Sequence, residues 1–192
     1  MRFADGTVLR LYRQTVEDFG LYSGMELSKD DYARLKTSAG EMSAKMRAVR
    51  IVSASSVSKR DLEQRLIQKG EDPVQAKNAV RWMEGLDLLD DRKTAEQIVH
   101  RCISKGYGKA RAKQALYEKR IPKELWAEVL EDYPDQSKHI LSFLQTRLGS
   151  SRDHNNLRKA VDALLRKGHS YSHIRAAVSQ LQLDTDDFPE EV

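Results

Sequence analysis

Cysteine is almost absent from this sequence, with Cys102 standing alone. A single thiol excludes an internal disulfide framework and a cysteine-based zinc finger, and a reducing cytoplasm suits it. Proline and glycine are also scarce, at four and ten in 192 residues, which favours helices over a turn-rich all-β fold. No run approaches the roughly 20 apolar residues that span a bilayer. The opening MRFADGTVLRLY lacks the continuous apolar core of a signal peptide. The expectation is a cytoplasmic protein with no membrane partner.

Apolar residues make up 40% of the chain and charged residues 32%, enough for a core under a helix-rich polar surface. The formal net charge of +4 announces no partner, but its distribution is uneven. Between Arg101 and Lys123 lie eight basic residues, Arg101, Lys105, Lys109, Arg111, Lys113, Lys119, Arg120 and Lys123, against the single acid Glu118. That segment carries +7, whereas the closing DTDDFPEEV carries five acids and no base. Such a strip is either a set of solvated helix faces or a contact surface.

Three stretches repeat one pattern: LIQKGEDPVQAKNAV (66–80), LYEKRIPKELWAEV (116–129) and LLRKGHSYSHIRAAV (164–178). Aligned, they place Leu66, Leu116 and Leu164 in one apolar column and Lys69, Lys119 and Lys167 in the next. Ala76, Leu125 and Ile174 follow, then Val80, Val129 and Val178. Ser58, Gly108 and Asn156 fall at the expected start of the first helix of each pair, and all three types are accepted at an N-cap. Pro73 and Pro122 fall where the second helix should begin, where a missing N–H costs nothing. A third helix precedes each pair, over 41–54, 91–104 and 136–148.

The fold expected is mainly α: a tandem array of three three-helix modules, over 41–88, 89–134 and 135–183, each helix pair leaning on its neighbours. Residues 1–40 are expected to form an N-terminal β/α extension, and 184–192 an acidic tail. Within the extension, Asp5-Gly6 is a hairpin signal and Val8, Leu9, Leu11 and Tyr12 suit a strand. Ser28 can cap a following helix, with Asp30 and Asp31 in the first turn.

KMRAVRIVSASSVSKRDLEQRLIQKG, GLDLLDDRKTAEQIVHRCISKGYGKARAKQALYEKRIPKEL and NLRKAVDALLRKGHSYSHIRAAV together resemble the RecX family of bacterial recombination regulators. The middle stretch is the most specific, with LDLLDD, GYG and LYEKRI in the family's order. Departures are Ser55 and Ser56 where an Arg is common, Arg120 for a Gly, and His169 for a Phe. The resemblance implies a non-enzymatic protein that binds RecA and its filament on DNA and inhibits its recombinase, ATPase and co-protease activities. It raises the reading of Arg101, Lys105, Lys109, Arg111, Lys113, Lys119 and Arg120 as a partner-binding or nucleic-acid-binding strip. A helical DNA-binding protein acting without RecA is the alternative, since short helices with basic faces also describe helix-turn-helix readers.

Other motifs read as structural. Asp90-Asp91 opens a helix, where acids cap and favour the dipole. His169 and His173 have the i,i+4 spacing of metal ligands but lack a third ligand nearby. His100 and Cys102 are poorly placed for thiol–imidazole chemistry, and Cys102 reads as core. Gly106-Tyr107-Gly108 is an inter-helix turn or a backbone cradle for phosphate. Trp82 and Trp126 suit packing better than base stacking. No cofactor, metal or catalytic residue is expected, and the chain is expected to be a monomer.

Overall fold

The structure, a computed structural model, describes residues 1–149 and 154–181. The expected acidic tail lies outside these residues. The chain divides into two compact units, Met1–Asp91 and Arg92–Val192.

In the first unit, α1 (Arg13–Asp18) precedes the 26-residue α2 (Lys29–Ala54), then α3 (Lys59–Gln68) and α4 (Pro73–Gly85). Ser28 caps α2 by accepting the Asp31 N–H at 3.0 Å, with Asp30 and Asp31 in the first turn. Two helices expected on either side of residue 41 are therefore one. No strong breaker lies between Lys29 and Ala54, and Gly40 faces the Gln75 side chain of α4 within ordinary contact distance. Ala44, Ala48, Val57, Leu62, Leu66, Ala76, Val80 and Met83 close a common core. Arg47 of α2 ties in the end of α3, pairing with Glu71 at 2.7 Å and donating to the Lys69 carbonyl at 2.7 Å.

The expected N-terminal β element is corrected. Among the described residues no strand forms, and the element amounts to a single bridge between Arg2 and Val8. The Asp5-Gly6 turn does form, with Thr7 N–H on Asp5 Oδ1 at 2.8 Å and Gly6 at φ +88°. Val8 is 65% exposed and has no sheet to pack on, so the hairpin stops after one pair. Tyr12, expected in the strand, instead caps α1.

The second unit holds α5 (Asp91–Ser104), α6 (Lys109–Glu118), a 3-10 turn (Lys123–Leu125) running into α7 (Trp126–Val129), then α8 (Ser137–Leu148), α9 (His154–Arg166) and α10 (Tyr171–Gln180). One core gathers Ala95, Ile98, Val99, Cys102, Ala112, Leu116 and Ile121; another gathers Ile140, Leu144, Ala160, Val161, Leu164, Ile174 and Val178.

Leu66, Leu116 and Leu164 are all fully buried. Their carbonyls also accept the same closing bond, from the N–H of Glu71 (3.1 Å), Ile121 (3.0 Å) and His169 (3.2 Å). With Gly70, Arg120 and Gly168 bonding back to Ile67, Tyr117 and Leu165, these are three Schellman ends. The residue before each closing donor adopts positive φ: Gly70 at +88°, Gly168 at +83° and Arg120 at +55°. Holding a non-glycine there costs about 1 kcal/mol or more.

Two helix starts differ from expectation. Asn156 sits inside α9 rather than at its cap. Pro122 is the cap of the 3-10 turn, not the first residue of a full helix. In α4 and α10 the caps Asp72 and Ser170 accept first-turn N–H groups. Pro122 has no acceptor side chain, so the equivalent helix closes as 3-10 and then only four α residues.

Candidate partner-contact surface

The strip expected from sequence is divided between two places. Arg101 and Lys105 lie at the C-terminal end of α5, both exposed. Arg111 on α6 joins them around Cys102: burial pushes that thiol up, and the charges of Arg111, Lys105 and Arg101 act against it. Cys102 is itself buried in the α5–α6 core. Arg111 is also engaged by Glu118 at 3.2 Å, so it is part of the module's own structure.

Lys109 and Lys113 are exposed and one turn apart on α6. Lys119 caps the helix and is half-buried, while Arg120 is exposed at the turn that follows. The residue that the sequence reading missed is Tyr117. It lies one further turn along from Lys113 and is 69% exposed, which is unusual for so large a ring. The signal in the sequence is the 109–113–117 spacing, which continues the Lys109–Lys113 face.

The Gly106–Gly108 turn is not a phosphate cradle, because protein backbone already occupies it. Gly108 N–H donates to the Lys167 carbonyl at 2.9 Å, and Ala110 N–H reaches the Gly168 carbonyl at 3.3 Å. The C-terminal carbonyls of α9 thus satisfy the N-terminal donors of α6. A Cβ at Gly108 would stand 1.9 Å from the Gly168 oxygen, and one at Gly168 would stand 2.3 Å from the Arg111 nitrogen. Only glycine at both places permits this approach.

His169 completes the seam. It is buried, and its Nε2 lies 3.0 Å from the Gly106 carbonyl; a carbonyl only accepts, so Nε2 carries the proton and donates. Burial holds the imidazole below its ordinary value, and Lys167, His139 and His173 push the same way. His173 lies exposed on α10. Tyr133 donates to the Tyr107 carbonyl at 2.6 Å, and burial pushes its hydroxyl up to about 12.

Asp91 does more than open α5. It accepts the Lys59 N–H at 2.8 Å, satisfying the start of α3, and burial raises its carboxyl above the usual range. Trp82 packs partly on the first core with Lys45 5.6 Å above its ring, and Trp126 donates to the Ile121 carbonyl at 3.1 Å. No described helix is long and apolar enough to cross a membrane.

Residues 90–130 match the family model described as RecX, second three-helix domain. A "Regulatory protein RecX" of Vibrio parahaemolyticus is 24% identical over 147 residues, 75% of this chain and 95% of that protein. The protein of the same name from Halorhodospira halophila is 26% identical over 145 residues, 74% of this chain and 90% of that protein. A solved structure, "Crystal structure of regulatory protein RecX", covers 88% of this chain and 86% of its own at 19% identity and TM-score 0.68. RecX from Lactobacillus salivarius covers 76% and 98%, at 22% identity and TM-score 0.65. The chain is thus similar to RecX-family proteins, in its second module by the family model and in its fold by the solved structures.

Proposed function

We propose that this chain is a non-enzymatic regulatory protein that binds RecA and its filament on DNA and restrains recombinase, ATPase and co-protease activity. It acts as a cytoplasmic monomer without a cofactor, in repair and the SOS response. The observation that carries the reading is the strip of +7 between Arg101 and Lys123, in a chain whose relatives are named regulatory proteins. Arg101, Lys105, Lys109, Lys113 and Arg120 are exposed in the matched module, with Arg111 and Lys119 half-buried beside them. A RecA filament on DNA offers both carboxylates and phosphates to such a strip.

Co-sedimentation separates this from a DNA-binding protein that acts alone. The chain should pellet with RecA filaments at concentrations where it stays soluble with DNA only. Equal pelleting with both, together with preference among duplex sequences, would point to the independent DNA reader instead.

A further inference from the structure

Gly106, in the turn between α5 and α6, has φ +63° and two imidazoles against it. Its carbonyl accepts the Nε2 proton of the buried His169 at 3.0 Å. A Cβ added to it would stand 3.2 Å from Nδ1 of His139, on α8. A third imidazole, His173, lies in the first turn of α10, near enough for its charge to act on His169. Three of the chain's five histidines therefore meet at one turn, and imidazole is the side chain that ordinarily changes charge between about pH 5 and 8. The same turn is where the start of α6 meets the end of α9. Gly108 N–H donates to the Lys167 carbonyl at 2.9 Å, and Ala110 N–H to the carbonyl of Gly168, the residue before His169, at 3.3 Å.

A second proton on His169 is hard to accommodate there. Nε2 already donates, so a proton from solvent goes to Nδ1 and leaves an imidazolium on a residue only 6% exposed. The charges that face it repel it: Lys167 at the end of α9, His139 on α8 and His173 on α10. Lys167 is itself held, its Nζ 4.3 Å from the centre of the Phe143 ring. On α6, Arg111 is paired with Glu118 at 3.2 Å. Asp135, near His173, is taken up by the N–H and the hydroxyl of Ser137 at 2.9 and 2.7 Å. Tyr133, whose hydroxyl bonds the Tyr107 carbonyl, stays neutral across this range, since burial pushes it up to about 12. None of these groups gives the imidazolium a counter-charge, and a buried charge without one is expelled or loses its proton.

We propose that the seam between α6 and α9 is a proton-operated joint: protonation of His169 drives its ring off the Gly106 carbonyl and frees the start of α6 from the end of α9. Above 6.5 the joint is closed, and α6, with Lys109 and Lys113 on its exposed face, is fixed against α9. As pH falls below 6.5 it opens, because the folded imidazole takes its proton less readily than the free one. The contact surface of the proposed function is then loosened, and restraint of the partner weakens in acid. Only that last step rests on the proposed function.

The test is amide exchange of the full chain, followed by NMR from about pH 7.5 to about pH 5.5 and corrected for the intrinsic exchange rate. Protection of the Gly108 and Ala110 amides should fall below 6.5 by up to about tenfold per pH unit, the linkage of one proton. His169→Phe fills the space without a titrating group, and His169→Gln keeps a donor for Gly106. Both should hold level protection, and if one does not fold the other decides. His139→Gln with His173→Gln should lessen the fall by removing repulsion. Level protection in the parent, or the same fall in a folded His169 variant, overturns the joint; an undiminished fall in the double variant overturns the part given to the cluster. Co-sedimentation with RecA filaments at both ends of the range reads the consequence. The parent should lose several-fold more binding in acid than His169→Gln, which shares any change in the filament itself. Equal loss overturns the regulatory step, whereas a parent that does not pellet even at the upper end overturns the proposed function and leaves the joint standing.

Discussion

Replacing Gly108 by alanine adds one methyl group at the tightest point of the second unit. The new Cβ would stand 1.9 Å from the Gly168 oxygen, 2.2 Å from its carbon and 2.4 Å from the His169 nitrogen. All three are backbone atoms, so no rotamer change relieves the clash and the seam must open. Opening strains or breaks Gly108 N–H to Lys167 O, Ala110 N–H to Gly168 O, and His169 to Gly106 O. Overpacking costs about 1–3 kcal/mol and each weakened bond about 0.5–1.5 kcal/mol, so the substitution should destabilise by about 3–6 kcal/mol. Against a usual total of about 5–15 kcal/mol, that is a large loss. Urea unfolding followed by circular dichroism should show an earlier, broader transition, and hydrogen exchange should show the amides of Gly108 and Ala110 losing protection first. The control is Gly85→Ala at the end of α4, where an added Cβ meets nothing within 4 Å. That change should be neutral or stabilise by up to about 1 kcal/mol, the helical preference of alanine over glycine. A Gly108→Ala protein that unfolds within about 0.5 kcal/mol of the parent, inside the range of ordinary surface changes, would refute the packing argument.

Truncating Leu66, Leu116 or Leu164 to alanine should each cost about 2–5 kcal/mol by chemical denaturation, and a near-neutral result at one of them would break the equivalence of the three modules. His169 makes stability depend on pH. Its folded value lies below the unfolded 6.5, so the contribution is complete above 6.5 and is lost as pH falls from there through the lowered folded value. A His169→Gln protein should show a shallower loss in that window, by at most about 1.4 kcal/mol per pH unit. Asp91→Asn keeps an acceptor for the Lys59 N–H and removes a charge that burial disfavours, so it should melt near the parent, whereas Asp91→Ala should lose about 1–3 kcal/mol.

The helical plan was legible because it is local. Pattern and caps placed the helix Asp91–Ser104 and the one ending at Leu148, and a repeated apolar column placed Leu66, Leu116 and Leu164. Pro73 stands at the first helical position for the same local reason. Where a neighbour decides the outcome, the sequence was silent or misleading. Val8 and Leu9 have strand character but no sheet to join, so only one bridge forms. Asn156 is an acceptable cap that the chain does not use as one. Gly106 to Gly108 is the inter-helix turn read from sequence, but nothing local told that the carbonyls of Lys167 and Gly168, some 60 residues on, occupy its donors. Of the contact surface, the cations were visible as charge, but which of them face outward was not. Arg111 pairs with Glu118 along the helix surface, and Tyr117 continues the exposed row of Lys109 and Lys113.

The central claim is that this chain restrains RecA through its basic strip, and the direct measurement is RecA ATPase turnover on single-stranded DNA with increasing amounts of the chain. The parent should lower turnover in a saturable way. The Lys109→Glu, Lys113→Glu, Arg120→Glu triple variant, with an unchanged helical circular dichroism spectrum, should need at least about tenfold more protein for the same effect, as expected when about 1.4 kcal/mol of binding is lost. Turnover that is indifferent to the parent would contradict the function, and a folded triple variant that inhibits as well as the parent would show the strip to be only solvated surface.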